Sequence, residues 1–230
     1  MTEFEFEVKR STRRRTVSLE VRDARLLVRA PLGVSERELA RLVQRKGPWV
    51  RSKIRAQQQL LAAIPEYRYV TGESLPWLGS TLALDVTEAP AGRAERRGGQ
   101  LRVGLSRRSR QPAREQTRRL VQGWYRDEAL RLLTEKTHRL TARLGLRCTG
   151  VNVRVTRSKW GHCTSRGAIQ YNWQIVLAPE SIVDYLVAHE VCHLRHHNHS
   201  RAFWQLVEQV CPDYRELRDW LKANGRTLVL

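Results

Sequence analysis

An α+β fold is predicted from three features of this 230-residue chain. Short runs of alternating apolar residues fill the first half, a long amphipathic stretch occupies the middle, and a strand-like segment then leads straight into a helix carrying clustered histidines. Phe4, Phe6 and Val8 alternate with Glu5 and Glu7, and Val17, Leu19 and Val21 alternate with Ser18 and Glu20, which is the period of half-buried strands. Leu26 to Ala30 returns as a third strand, giving a hairpin across Arg22-Asp23-Ala24-Arg25. Ser35 followed by Glu38 has capping-box spacing and opens a helix with Leu39, Leu42 and Val43 on its apolar stripe. Gly47-Pro48 interrupts it, and a second helix follows from Trp49 to Ile64.

Residues 67 to 86 read as strands broken at Gly72, Pro76 and Gly79. The stretch 90 to 114 has little periodicity beyond a strand at Leu101 to Leu105, and the domain boundary is expected there, dividing a basic, strand-rich region 1–113 from a second domain, 114–230. A long helix from Arg114 to Leu144 stops at Gly145. Val151, Val153 and Val155 then alternate as one strand, and Ile169, Tyr171, Trp173, Ile175 and Leu177 as another. Pro179 starts the next helix, with Ile182, Leu186, His189 and His193 on one face.

Four scattered cysteines with no C-x-x-C pair exclude a zinc ribbon or a disulfide framework and favour a reduced, cytoplasmic compartment. No signal-peptide core and no run near the ~18 apolar residues of a membrane span is present, so no membrane partner is expected. Net charge is +19, and 36 of the 42 basic residues are arginine, the side chain suited to bidentate phosphate contacts. The charge concentrates in the run 9–15, with Arg13, Arg14 and Arg15, and in 93–119, with Arg107, Arg108 and Arg110. These six are the candidate contacts to DNA or another polyanion, although no aromatic residue interleaves with the arginines of 93–119 as a stacking platform would require.

The chemistry concentrates at His189-Glu190-Val191-Cys192-His193, an H-E-x-x-H pattern. Residues four apart on a helix are offset by about 6 Å along the axis and about 40° around it, so two imidazoles can reach one ion. Glu190 projects beside them as the catalytic base that activates a water on a single Zn2+. One further ligand is needed from His196, His197, His199 or Glu208. His196 and His197 fail if the helix continues, because eight residues correspond to about 12 Å of rise. His199 reaches the ion if the helix stops first, with Asn198 as the residue that tolerates a left-handed stop and Ser200 as the cap of the next helix. Glu208 stands as the alternative third ligand. The strand Gln170 to Leu177 would serve as the edge along which a peptide lies, with Asn172 and Gln174 toward the cleft.

Residues 157–225, RSKWGHCTSRGAIQYNWQIVLAPESIVDYLVAHEVCHLRHHNHSRAFWQLVEQVCPDYRELRDWLKANG, together with APLGVSERE near residue 30 and GESLPWLG at 72–79, resemble the YgjP-like metallopeptidases, relatives of the SprT-like and Wss1-like zincins. The resemblance implies a zincin-like domain with an HExxH helix beside a small sheet, with His189, His193 and His199 at the ligand positions and Glu190 at the catalytic one. It also implies a protein or peptide substrate, and SprT-like and Wss1-like relatives act on proteins attached to DNA. One departure stands out: the family's R-W-G-S-C motif reads Lys159-Trp160-Gly161-His162-Cys163 here. Lysine removes a bidentate donor and His162 adds a titratable group, so Trp160, His162, Cys163, Asn172 and Tyr185 are the candidate substrate or supporting residues. Tyr185, His162, Arg195 and Arg157 are the candidate oxyanion partners. Two alternatives compete: a zinc hydrolase of a non-peptide bond, and a nucleic-acid-binding protein whose metal site is structural.

Overall fold

In the computed structural model residues 3–156 and 158–230 are described. The chain divides into two compact units, residues 1–64 and 65–230. In the first, β1 (Phe6–Arg10) pairs parallel with β3 (Arg25–Ala30), and β2 (Ser18–Arg22) pairs antiparallel with β3 on its other edge. The β2–β3 hairpin turns through Asp23 and Ala24, both at positive φ (50° and 57°), the geometry whose twist matches the flanking strands. Helix α1 (Glu36–Arg45) opens with the reciprocal Ser35–Glu38 capping box, and α2 (Gly47–Ala62) starts with Pro48 in its first turn. Leu26, Val28, Ala30, Leu39, Val43 and Val50 form this unit's core.

The second unit holds the remaining elements. Strands β4 (Ser74–Trp77), β5 (Ser80–Ala89), β6 (Arg93–Arg97) and β7 (Gln100–Ser106) form one sheet in the order β4-β5-β7-β6. The parallel register of β5 with β7 spans Ala83–Ala89 against Gln100–Ser106. The division of the chain falls at 64/65 instead of 113/114, because this sheet buries Leu75, Trp77, Leu82, Leu84, Leu101 and Val103 in one core with Val121, Tyr125 and Leu133 of the long helix that follows. The arginine-rich β6 was read as irregular, since an edge strand with one solvated face carries little apolar signal.

Helix α3 (Ala113–Leu144) runs 32 residues and ends where Gly145 turns left-handed (φ 61°). Its buried stripe, Val121, Tyr125, Ala129, Leu133, Thr137 and Thr141, recurs at four-residue spacing. Behind it a three-stranded sheet, ordered β8-β10-β9, combines β8 (Gly150–Arg154), β9 (Gly161–Cys163) and β10 (Ala168–Asn172). The Tyr171 hydroxyl and the Thr137 Oγ1 hydrogen-bond at 2.9 Å, tying β10 to α3.

Two corrections to the expected elements bear on the site. The strand expected to run from Gln170 to Leu177 ends at Asn172, and Trp173–Leu177 form a 3-10 helix. The Asn172 side chain accepts a hydrogen bond from the Gln174 amide (3.1 Å) and so caps that turn, while Trp173, Ile175, Val176 and Leu177 are all buried. Burial on every side mimics strand alternation in sequence. Strand β10 is also central, with β8 and β9 as the two edges, so β9 is the edge strand nearest the histidine helix. Among the described residues no helix is long and apolar enough to cross a membrane.

Candidate metal centre

Helix α4 (Glu180–Cys192) starts behind Pro179 and is buried along most of its surface, from Ile182 through Cys192. Lys136 of α3 anchors its first turn, with Nζ 2.7 Å from Glu180 and 2.6 Å from Asp184. The helix stops at Cys192, six residues before Asn198, and His193 occupies the C-cap at φ −65°. Asn198 is not in the left-handed region, so the expected stop is made differently. The Leu194 and Arg195 amides donate to Val191 and Cys192 carbonyls at three-residue spacing, tightening the last turn.

The chain then returns as α5 (Arg201–Val210), whose N-cap Ser200 accepts from the Phe203 amide (3.4 Å). This turn brings His199 back to His189 and His193, and one ligand atom from each of the three lies within 4.8 Å of the others. The Nε2 atoms of His189 and His199 are 3.1 Å apart. Two imidazoles bound to one tetrahedral ion at ~2.05 Å each would have nitrogens separated by ~3.3 Å, so this spacing fits a shared ion. His193 Nδ1 donates to the His196 carbonyl (2.9 Å), which fixes the tautomer and leaves Nε2 free as a ligand. Burial, reinforced by His193 and His199, pulls His189 down to about 3, so its ring is neutral. Phe203 packs its ring 4.4 to 5.0 Å from all three imidazoles, and Trp204 stacks on His199 at 5.6 Å. The donor set and its supports suit a divalent metal.

Glu190 sits on the adjoining face of α4, 4 % exposed. Burial raises its carboxyl to about 8, against the opposing pull of the Lys159 ammonium and a backbone hydrogen bond from Cys163. A Cβ on Gly161 would lie 2.5 Å from the Glu190 Cγ and Cδ, so only glycine lets β9 come this close. The sequence motif assigns Gly161 no role; an isolated glycine within a strand is the signal that finds such a contact.

A cavity of about 580 Å³ opens over these groups, lined by His189, Glu190, His193 and His199 together with Lys159, Trp160, His162, Cys163 and Tyr185. Of the expected oxyanion partners, Tyr185 and His162 line it. Arg195 instead donates to the Leu144 carbonyl (3.3 Å), and Arg157 lies outside the described residues. Glu208 is taken by Arg215 (2.7 Å) and is no ligand here. His197 lines the cavity without joining the cluster. Asn172 is buried at 4 % exposure and donates to the Thr156 carbonyl (3.3 Å), so it supports the loop before β9. With Gln174 it lines an adjoining cavity, away from the metal ligands. Burial pushes the Cys163 thiol up to about 11, which makes it a poor nucleophile or ligand. All four cysteines are free thiols.

The close approach at Gly161 is testable apart from any activity. Gly161→Ala should lower the stability of the protein by about 1–3 kcal/mol in urea unfolding, by overpacking β9 against Glu190. Metal content should be unchanged, because an added Cβ meets Glu190 and none of the three histidines; an unaltered unfolding midpoint would contradict the contact.

The comparisons with known proteins bear on this centre. No curated protein matches the chain. The crystal structure of the metallopeptidase zymogen of Pyrococcus abyssi abylysin is similar at 23 % identity and a TM-score of 0.37, covering 42 % of this chain and 99 % of that one. The family described as YgjP-like, metallopeptidase domain, matches residues 15–224, a span that includes the whole histidine cluster, Glu190 and β9. The chain therefore belongs to the YgjP-like metallopeptidase domain family.

Proposed function

We propose that the protein is a zinc-dependent peptidase in which His189, His193 and His199 hold the ion and Glu190 is the general base. The observation that carries this reading is the convergence of three neutral-capable imidazoles beside a buried carboxylate, inside a cavity bordered by an unpaired sheet edge. Zinc held by these three histidines would supply Lewis acidity and would acidify water. Glu190 takes a proton from the attacking water and returns it to the leaving amine. Burial raises its affinity for protons, which suits a group that must accept a proton and then release it.

The edge strand β9 supports a peptide over other substrates. It pairs with β10 on one side only, and Gly161, His162 and Cys163 all line the cavity. An extended peptide laid against this edge gains main-chain hydrogen bonds beside the ligands. A purely structural metal site is disfavoured, since such sites are closed by four protein ligands and this cluster offers three facing a cavity. Glu190→Gln should bind zinc at wild-type stoichiometry while losing at least about 10³-fold in hydrolysis of an unfolded protein such as casein. Retained hydrolysis would remove Glu190 from the mechanism.

We further propose that substrates associated with nucleic acid are favoured. Support comes from the net charge of +19 and from Arg13, Arg15, Arg108 and Arg110, which are exposed and carry no ion pair among the described residues. Arg107 pairs with Glu88 (2.6 Å) and Arg14 donates to Ser18 (2.9 Å), so these two are less available. A duplex DNA titration should show affinity falling steeply with salt, and DNA should stimulate casein cleavage. Salt-independent binding, or none, would dismiss this part.

A further inference from the structure

The metal cavity does not end at its own ligands. Beyond Trp160 and Tyr185 it continues into a second cavity of about 460 Å³, and Lys159, Trp160, Tyr185 and Leu221 line both. Helix α6 (Tyr214–Asn224) and the turn after it supply Arg218, Lys222 and Arg226 to this extension. A third cavity of about 290 Å³ adjoins on the β9 side and adds Arg154.

Across these three connected spaces Glu190 is the only carboxylate among the described lining residues. The chain has 23 acidic residues, so composition alone does not clear the cleft of them. Several arginines elsewhere pair with a carboxylate, as in Arg29–Glu20, Arg102–Asp85 and Arg131–Glu128. Lys222 and Arg226 have no carboxylate partner among the described residues. Arg218 lies 3.5 Å from its neighbour Asp219 and over the Trp204 ring at 5.5 Å, which holds the guanidinium beside the ring that stacks on His199. The backbone turn is tight: a Cβ on Gly225 would come 2.9 Å from Trp160 Nε1, so the cationic segment is held against the wall of the metal cavity.

We propose that this extension is a substrate subsite for a carboxylate, which would make the enzyme selective for acidic peptides. The inference rests on the peptidase reading and adds the substrate class. A carboxylate entering the extension meets Lys222 and Arg226 with no competing anion, while the rest of the peptide spans the shared wall toward Glu190. The carboxylate comes either from an Asp or Glu side chain or from the peptide's own C-terminus, and both present the same chemistry.

The test uses the full-length Glu190→Gln protein loaded with zinc, so binding is read without turnover. Four fluorescein-labelled octapeptides of alternating alanine with either glutamate or glutamine, each as free acid and as C-terminal amide, are titrated by anisotropy at 150 mM salt. Long-range attraction is screened beyond about 8 Å under that condition. The glutamate amide should bind about tenfold tighter than the glutamine amide if side chains are read; a similar gain of free acid over amide would assign the terminus. Lys222→Gln/Arg226→Gln should bring the pair within about twofold, and the charge-matched Arg119→Gln/Arg126→Gln, on α3, should leave the preference intact. Equal binding of all four peptides overturns the subsite, and so does an equal loss in both double variants. Casein cleavage by the wild-type protein, run alongside, reports on the peptidase reading independently.

Discussion

The site depends on one close approach, the backbone of β9 at Gly161 lying against the Glu190 carboxylate. It buries the carboxylate, raises its proton affinity, and fixes the distance between the edge strand and the helix that carries the imidazoles. Everything around it serves to hold that contact. Tyr171 on β10 is pinned to α3 through Thr137, Lys136 ties the start of α4 to the same helix, and the Asn172 amide donates to the Trp160 carbonyl (2.7 Å) to set the entry of β9. A buried carboxylate is costly unless it is paired, hydrogen-bonded or protonated. Here the Lys159 ammonium and the backbone hydrogen bond from Cys163 offset part of that cost.

The second level of support lies in α5. Phe203 presses on the three imidazoles together and Trp204 stacks on the most exposed of them, His199. The histidine cluster thus combines two residues at the end of α4 with a third on a short return loop, braced by aromatic packing instead of by secondary structure. The His193–His196 hydrogen bond adds tautomer control, with the donor ring and the acceptor carbonyl three residues apart in the same loop.

The histidine helix and the convergence of its three imidazoles were legible because the spacing is local, four residues for His189 and His193 and a return for His199. The capping box at Ser35, the hairpin at Asp23-Ala24 and the stop at Gly145 were legible because each is a local conformational rule. What sequence hid was non-local or ambiguous in period. Residues 173–177, buried except for Gln174, alternate like a strand although they wind as a 3-10 helix, and Asn172 reads as a strand residue facing the cleft when it is a buried cap. The sheet of residues 74–106 shares its core with the helix that begins at Ala113, a non-local packing that no local signal marks, so the division of the chain falls earlier than composition suggests. The edge strand β9 is three residues long and contains a glycine, too short for any periodicity.

Chemically, the arrangement joins three imidazoles, a buried carboxylate and an open sheet edge in one cavity, and a cationic extension lies beyond Tyr185. The most direct test of the account is the metal content of the purified protein after zinc reconstitution, measured by plasma mass spectrometry beside His199→Ala, with proteolysis of casein assayed on the same samples. The account predicts one zinc per chain and proteolysis in the wild-type protein, both lost in the variant. Full zinc occupancy in His199→Ala, or absence of zinc from the reconstituted wild type, would contradict it.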